Sequence, residues 1–284
     1  MNPCPLAPLI ERGFLSQQAR LIKQFPSASN QCYLITDVAI SQQINECVAA
    51  TSEESLKEQG QQAPKASDGL LYWVLKIFRA DRLSFDFQSL LKLNASIAAQ
   101  QLTPPIVRSD ASHRCVLMPY RSAGTIAQSS ISDTEKLYSL AQALVRAHQS
   151  DLSFSSIDLP QEIEWYANQL NPNHPLLSER LGLPELPKSA MENLVPCHMD
   201  PSWQNLLING EWLDWEYARQ APALFDIAAA ATINRLTETQ VKILFNYYSE
   251  LTKIEGTFEG TFDDIQQLIL WSDWLNRAWF ELAS

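Results

Sequence analysis

The tightest local constraint in this sequence is Asn209-Gly210, set between two short apolar runs, Leu206-Leu207-Ile208 and Glu211-Trp212-Leu213. Asn-Gly is the dipeptide best suited to a two-residue type I′ hairpin turn, because both residues tolerate positive φ. Such a turn fixes the register: Ile208 faces Glu211, Leu207 faces Trp212, Leu206 faces Leu213, and Asn205 therefore faces Asp214. Directly opposed residues have Cβ atoms roughly 5 Å apart, so an amide oxygen and a carboxylate are expected to project together from the open end of the hairpin. That pair suits a hard divalent cation such as Mg²⁺, which takes oxygen ligands and keeps waters or phosphate oxygens in its remaining positions. Asp200 comes into the same end through a short loop, where a base would sit.

The spacing Asp200-x4-Asn205, with Asp214 further on, matches the catalytic loop and second metal-binding aspartate of kinases. His198-x-Asp200-x4-Asn205, Asp214-Trp215-Glu216 and Phe225-Asp226-Ile227-Ala228 together resemble the aminoglycoside phosphotransferase and choline kinase superfamily, and within it look closest to the bacterial thiamine kinases. The resemblance covers nearly the whole chain outside residues 37–69, and its most specific part is Cys197–Asp226. It implies an α+β, two-lobe protein-kinase-like fold. Residues 1–120 would form a small β-rich nucleotide-binding lobe, residues 121–284 a larger, mostly helical lobe for catalysis and acceptor binding, and Pro119–Gly124 the hinge. It further implies ATP as phosphoryl donor, with Asp200 orienting and deprotonating an acceptor hydroxyl and Asn205 and Asp214 holding Mg²⁺. Thiamine is the implied acceptor, with choline, ethanolamine or an aminoglycoside as alternatives.

Upstream, Lys76 stands alone in the apolar run Leu70–Phe78. Val74-Leu75-Lys76-Ile77 resembles the kinase strand whose lysine contacts the α- and β-phosphates. From the run alone, a lysine tip snorkelling from an edge strand reads equally well. The helix expected over 84–99 has no glutamate to hold that lysine, and Asp86 takes the place by its spacing, with Gln88 next. Ser29-Asn30 before Tyr33 match the family's nucleotide loop, but its glycines are missing, and an ordinary turn into a strand is the alternative. Residues 8–23 read as a short helix, and the polar stretch 37–69 as a partly disordered insertion. Ser132-x-x-Glu135 is a capping box opening a helix with Leu137, Leu140, Ala141, Leu144 and Ala147 on one face. His148, at its end, is given no chemistry, His198 is read as bracing the catalytic loop, and Asp226 as the N-cap of the alanine-rich helix after it.

Near the C-terminus Trp271 and Trp274 share a helix face, and Trp279-Phe280-Glu281 follows. Such a stripe is either core or an aromatic wall for an organic cation, with Asp273 and Glu281 beside it. Glu216, Trp271, Trp274 and Trp279 make up the candidate acceptor site. A net charge of −11 argues against nucleic acid as a partner and agrees with a cationic small molecule, or with solubility alone. The 46% share of apolar residues excludes a disordered chain. The five cysteines are scattered without a C-x-x-C, which suggests reduced thiols, and no leader-like or long apolar segment is seen, so a soluble cytoplasmic protein without a membrane partner is expected. A different class of reading is a catalytically silent nucleotide-binding relative, favoured by the glycine-free loop, the missing helix glutamate, and Ser202 and Gln204 in place of the family's usual histidine and glycine.

Overall fold

The computed structural model describes residues 5–25, 30–43, 72–79, 86–188, 193–253 and 260–283. They fall into two compact units, one within Met1–Ala99 and Pro104–Ser122, the other within Gln100–Thr103 and Ala123–Ser284. The architecture is α+β, with an antiparallel sheet in the first unit and mostly helices in the second.

The first unit runs α1 (Ala7–Glu11), β1 (Arg20–Phe25), β2 (Gln31–Thr36), β3 (Tyr72–Ile77), α2 (Phe87–Ala99), β4 (Arg108–Asp110) and β5 (Cys115–Pro119), with strand order β1-β2-β3-β5-β4. The helix expected over 8–23 is corrected. α1 stops at Glu11, Gly13 turns the chain with a left-handed φ of 74°, and Arg20–Phe25 pairs with β2 as a strand. Side chains of β3 alternate between two faces of the sheet. Trp73 and Leu75 pack with Leu9, Leu15, Ile35 and Leu117, whereas Phe78 packs with Val116 and with Phe87 and Leu90 of α2. The stretch expected to be a partly disordered insertion, 37–69, is ordered over its first residues. Residues 38–43 are helical, and the buried Asp37 caps them through Ile40 N–H at 3.3 Å while accepting the N–H and hydroxyl of Ser16 at 2.8 and 2.7 Å. Residues 44–69 of that expectation lie outside the described residues.

The second unit contains α3 (Asp133–His148), α4 (Leu159–Gln169), α5 (Pro175–Arg180), β6 (Leu194–Cys197), β7 (Arg219–Pro222), α6 (Ala223–Ile233), α7 (Glu238–Lys253) and α8 (Phe262–Ala283). α3 opens on the expected capping box: the Ser132 hydroxyl accepts Glu135 N–H, and the Glu135 carboxylate accepts Ser132 N–H at 2.8 Å. α6 is buried from Leu224 to Ala231, and its run of alanines admits close packing against α8. Among the described residues no helix is long and apolar enough to cross a membrane.

The hairpin around Asn209-Gly210 forms, with its register one residue from the expected one. Leu207 N–H donates to Glu211 O at 2.9 Å, Gly210 N–H donates to Leu207 O at 2.9 Å, and Leu206 bridges Trp212. Gly210 has a φ of 82°, but Asn209 is not among the positive-φ residues, so a type I′ turn is excluded. The loop is instead Ile208-Asn209-Gly210, a three-residue connection whose last residue is left-handed. This register buries Leu206 and Trp212 completely and sets Asn205 opposite Leu213, whose N–H donates to Asn205 O at 2.7 Å. Asp214 lies one residue beyond. A Cβ at Gly210 would be left-handed and 3.0 Å from Nη1 of Arg146. Gly210→Ala should therefore lower unfolding free energy by about 1–2 kcal/mol in urea titrations, and an unchanged midpoint would contradict the turn assignment.

Candidate active site

β6 feeds the loop that carries Asp200. Within it Met199 is left-handed, with φ of 70°, a conformation that costs a non-glycine residue roughly 1–2 kcal/mol. Asp226 holds it there. This aspartate is not the N-cap expected from sequence: Pro222 occupies the cap, and Asp226 lies inside α6, fully buried. Its Oδ2 accepts His198 N–H at 2.7 Å and its Oδ1 accepts Met199 N–H at 2.8 Å. His198 does brace the loop. Its Nε2 bonds Leu213 O at 2.8 Å, its Nδ1 accepts Asp200 N–H at 3.3 Å, and its ring lies 4.8 Å from those of Trp212 and Trp215. Burial lowers the His198 pKa, in keeping with one nitrogen donating and the other accepting, which an imidazolium could not do.

Asn205 donates its Nδ2 to Asp200 Oδ2 at 2.8 Å and to Asp200 O at 3.2 Å. The Asp200 carboxyl is pushed up to about 7, first by burial and then by the charge of Asp214, against the lowering effect of the Asn205 bond. Asp226 and Glu216 add smaller repulsions. Asp214, left-handed with φ of 59°, opens the short turn Trp215–Tyr217. Asp200, Asn205 and Asp214 therefore come together through the loop and this turn rather than through cross-strand pairing. The set fits a hard cation. With Nδ2 given to Asp200, Asn205 has its amide oxygen as ligand atom, and the mutual repulsion of two carboxylates is what a bound Mg²⁺ would relieve.

In the first unit Lys76 sits on β3, the middle strand, between Cys32 of β2 and Val116 of β5, so an edge-strand lysine is excluded. It is 3% exposed, and its Nζ lies 4.7 Å from the Phe78 ring centroid. Asp86 is placed differently from the expected lysine partner. Exposed, it caps α2, accepting Gln88 N–H at 2.8 Å, Ser89 N–H at 3.0 Å and the Ser89 hydroxyl, and those Ser89 bonds lead the lowering of its pKa, with a smaller contribution from the charge of Lys92. Asn30 is buried and accepts Arg79 N–H at 3.4 Å; Ser29 lies outside the described residues.

The three C-terminal tryptophans separate. Trp271 and Trp274 are buried, with indole N–H groups donating to Pro184 O at 3.1 Å and Leu176 O at 2.8 Å, so they are core. Asp273 is drawn into an ion pair with Arg277 at 2.8 Å, and a Glu281 carboxylate oxygen lies 3.6 Å from Nε2 of His174. Trp279, five residues after Trp274, is rotated roughly 140° around the helix from it and is half-buried, edge-on to Tyr217 with centroids 6.1 Å apart. Tyr217 was missed in the sequence, although it directly follows Asp214-Trp215-Glu216. Burial raises its pKa first, then the charges of Glu216 and Asp200, which places this phenol within electrostatic reach of the candidate base.

Residues 66–258 match the family model described as APH, phosphotransferase enzyme family. The chain belongs to this phosphotransferase family. Among curated protein sequences none matches it. Solved structures similar to it include a choline/ethanolamine kinase family protein from Mesorhizobium loti, with TM-score 0.58 and 16% identity over 86% of this chain and 86% of that one. LicA in complex with AMP gives 0.64 and 16% over 97% and 88%. A macrolide 2′-phosphotransferase from Brachybacterium faecium gives 0.59 and 13% over 98% and 92%. At such identities the likeness shows the fold, which is kinase-like.

A carboxyl whose pKa is raised on folding binds its proton more tightly in the native state, so stability falls as pH rises from the usual 3.8 to about 7 and levels off above. Asparagine mimics the protonated form. Metal-free Asp200→Asn should therefore be more stable than the parent by about 3–5 kcal/mol at pH 8, at about 1.4 kcal/mol per pKa unit, and nearly equal to it at pH 4. Urea denaturation at both pH values measures this; a difference that ignores pH would refute the burial and repulsion assigned to Asp200.

Proposed function

We propose that this phosphotransferase moves the γ-phosphoryl group of ATP to the hydroxyl of a small organic cation. Thiamine is the first candidate acceptor, and choline, ethanolamine or an aminoglycoside come next. The observation that carries the reading is the geometry at Asp200, a buried carboxyl at the end of the loop, hydrogen-bonded to Asn205 and within the field of Asp214. Asp200 accepts the acceptor's hydroxyl proton as the oxygen forms its bond to the γ-phosphorus, and the β–γ bridging oxygen leaves with the electron pair. Asn205 and Asp214 would hold Mg²⁺, which when bound neutralises phosphate charge. Lys76 and Asn30 are assigned to the nucleotide, and the boundary near residue 120 separates that role from catalysis and acceptor binding. A similar structure in complex with AMP supports a nucleotide donor.

On the acceptor side we assign Tyr217, Trp279 and Glu216. Aromatic faces beside a carboxylate replace the hydration of an organic cation at a gain of about 0.5–2 kcal/mol per contact. The net charge of −11 supports a cation over a nucleic acid. Thiamine in particular rests on the sequence resemblance, and free thiols at Cys32, Cys115 and Cys197 support a cytoplasmic location.

ATP consumption measured against thiamine, choline, ethanolamine and aminoglycosides tests this. One cationic acceptor should stand well above the others; Mg²⁺-dependent ATP binding with no acceptor phosphorylated would instead favour a silent nucleotide binder. Trp279→Leu should raise the acceptor KM several-fold and leave the ATP KM alone. Trp274→Leu should lower Tm without moving either constant. If Trp279→Leu behaves like Trp274→Leu, the aromatic acceptor wall is wrong.

A further inference from the structure

The hydrogen bonds at Asp226 extend beyond the loop they hold. His148, the last residue of α3, places Nε2 3.2 Å from Asp226 Oδ2 and Nδ1 2.7 Å from the hydroxyl of Tyr248 on α7. All three side chains are buried. Because both Asp226 oxygens accept backbone N–H groups from the loop, the carboxylate is an acceptor on every side, and the histidine nitrogen facing it donates. In the tautomer whose proton sits on Nε2, Nδ1 carries the lone pair and the Tyr248 O–H, 2.7 Å away, donates to it. Burial raises the phenol's pKa, which keeps that hydrogen in place.

His148, Cys197 and Asp226 have ligand atoms within 4.8 Å of one another, the donor chemistry of a transition-metal site. The hydrogen bonds argue against that use. Asp226 is already engaged by two backbone N–H groups, and Cys197, whose thiol pKa burial raises well above its usual value, has its sulfur 3.5 Å from Ala221 O.

We propose that Tyr248 and His148 are positioning residues, locking the imidazole tautomer that donates to Asp226 and so maintaining the left-handed Met199 turn from which Asp200 projects. Without the Tyr248 hydroxyl the ring can move its proton to Nδ1, which sets a lone pair against Asp226 and weakens the clamp on a strained backbone. This rests on Asp200 being the base, so the test includes a readout that needs no turnover. The chain has four methionines, and in full-length protein labelled with methyl-¹³C methionine the Met199 signal, assigned by Met199→Leu, reports the turn directly.

Tyr248→Phe keeps the ring and removes one hydroxyl. It should lower kcat by about 10- to 100-fold, the scale of a small misplacement of a reacting group, hold both KM values within about twofold, and split or broaden the Met199 signal. His148→Leu should do the same, and His148→Gln, which keeps one donor and one acceptor, should recover most of the kcat. Should His148→Leu fail to fold, Tyr248→Phe carries the test alone. A folded Tyr248→Phe with unchanged kcat overturns the proposal, whatever its methionine spectrum. If the parent phosphorylates no acceptor, the proposed function fails, and the Met199 signal of Tyr248→Phe still decides: perturbed supports the positioning role, unchanged overturns it. Stoichiometric metal in purified parent protein, absent from His148→Gln, would overturn the hydrogen-bonded assignment.

Discussion

Two hydrogen bonds to the buried carboxylate of Asp226, from the backbone N–H groups of His198 and Met199, are the constraint on which the rest of the site depends. A carboxylate with no solvent contact is costly unless its oxygens are satisfied, and hydrogen bonds to a charged group stabilise by about 1.5–3 kcal/mol each. That is enough to offset the strain of a left-handed methionine. The alanines of α6 contribute by being small, since they let the helix bearing Asp226 sit deep in the second unit. From the turn so fixed, Asp200 reaches Asn205, and His198 ties the loop to Leu213 at the base of the hairpin.

The site is electrostatically unfavourable in the absence of a cation. Asp200 is buried and repelled by Asp214, with Asp226 and Glu216 adding to the same field. A chain selected for stability alone would not gather these carboxylates. Such an arrangement makes physical sense where a bound cation and phosphate complete the charge balance, and where one carboxylate is to take up a proton from a reacting group.

Short-range chemistry was legible in the sequence, and long-range partnership was not. The capping box at Ser132 is local and appears as read; the five-residue step from Asp200 to Asn205 is local too, and it brings the two side chains into a hydrogen bond. The hairpin was found from Asn209-Gly210, but its register was set by burying Leu206 opposite Trp212 and by a left-handed residue at Gly210 alone, which a dipeptide rule does not encode. An acid before an alanine run looks like an N-cap; that Asp226 serves residues 27 and 28 positions earlier is invisible until the chain is folded. Helical periodicity paired Trp271 with Trp274 correctly, yet only the carbonyls of Pro184 and Leu176 reveal that this face is core. Lys76 read as well from an edge strand as from a central one because strand order is a property of the whole sheet.

The central claim is that Asp200, held in this frame, removes the proton from the acceptor hydroxyl. The most direct measurement is the turnover of Asp200→Asn with the preferred acceptor, alongside Mg²⁺-dependent ATP affinity. The account predicts a fall in kcat of at least about 10²-fold, the scale of general base catalysis, with ATP affinity retained. Turnover equal to that of the parent would remove Asp200 from the chemistry and contradict it.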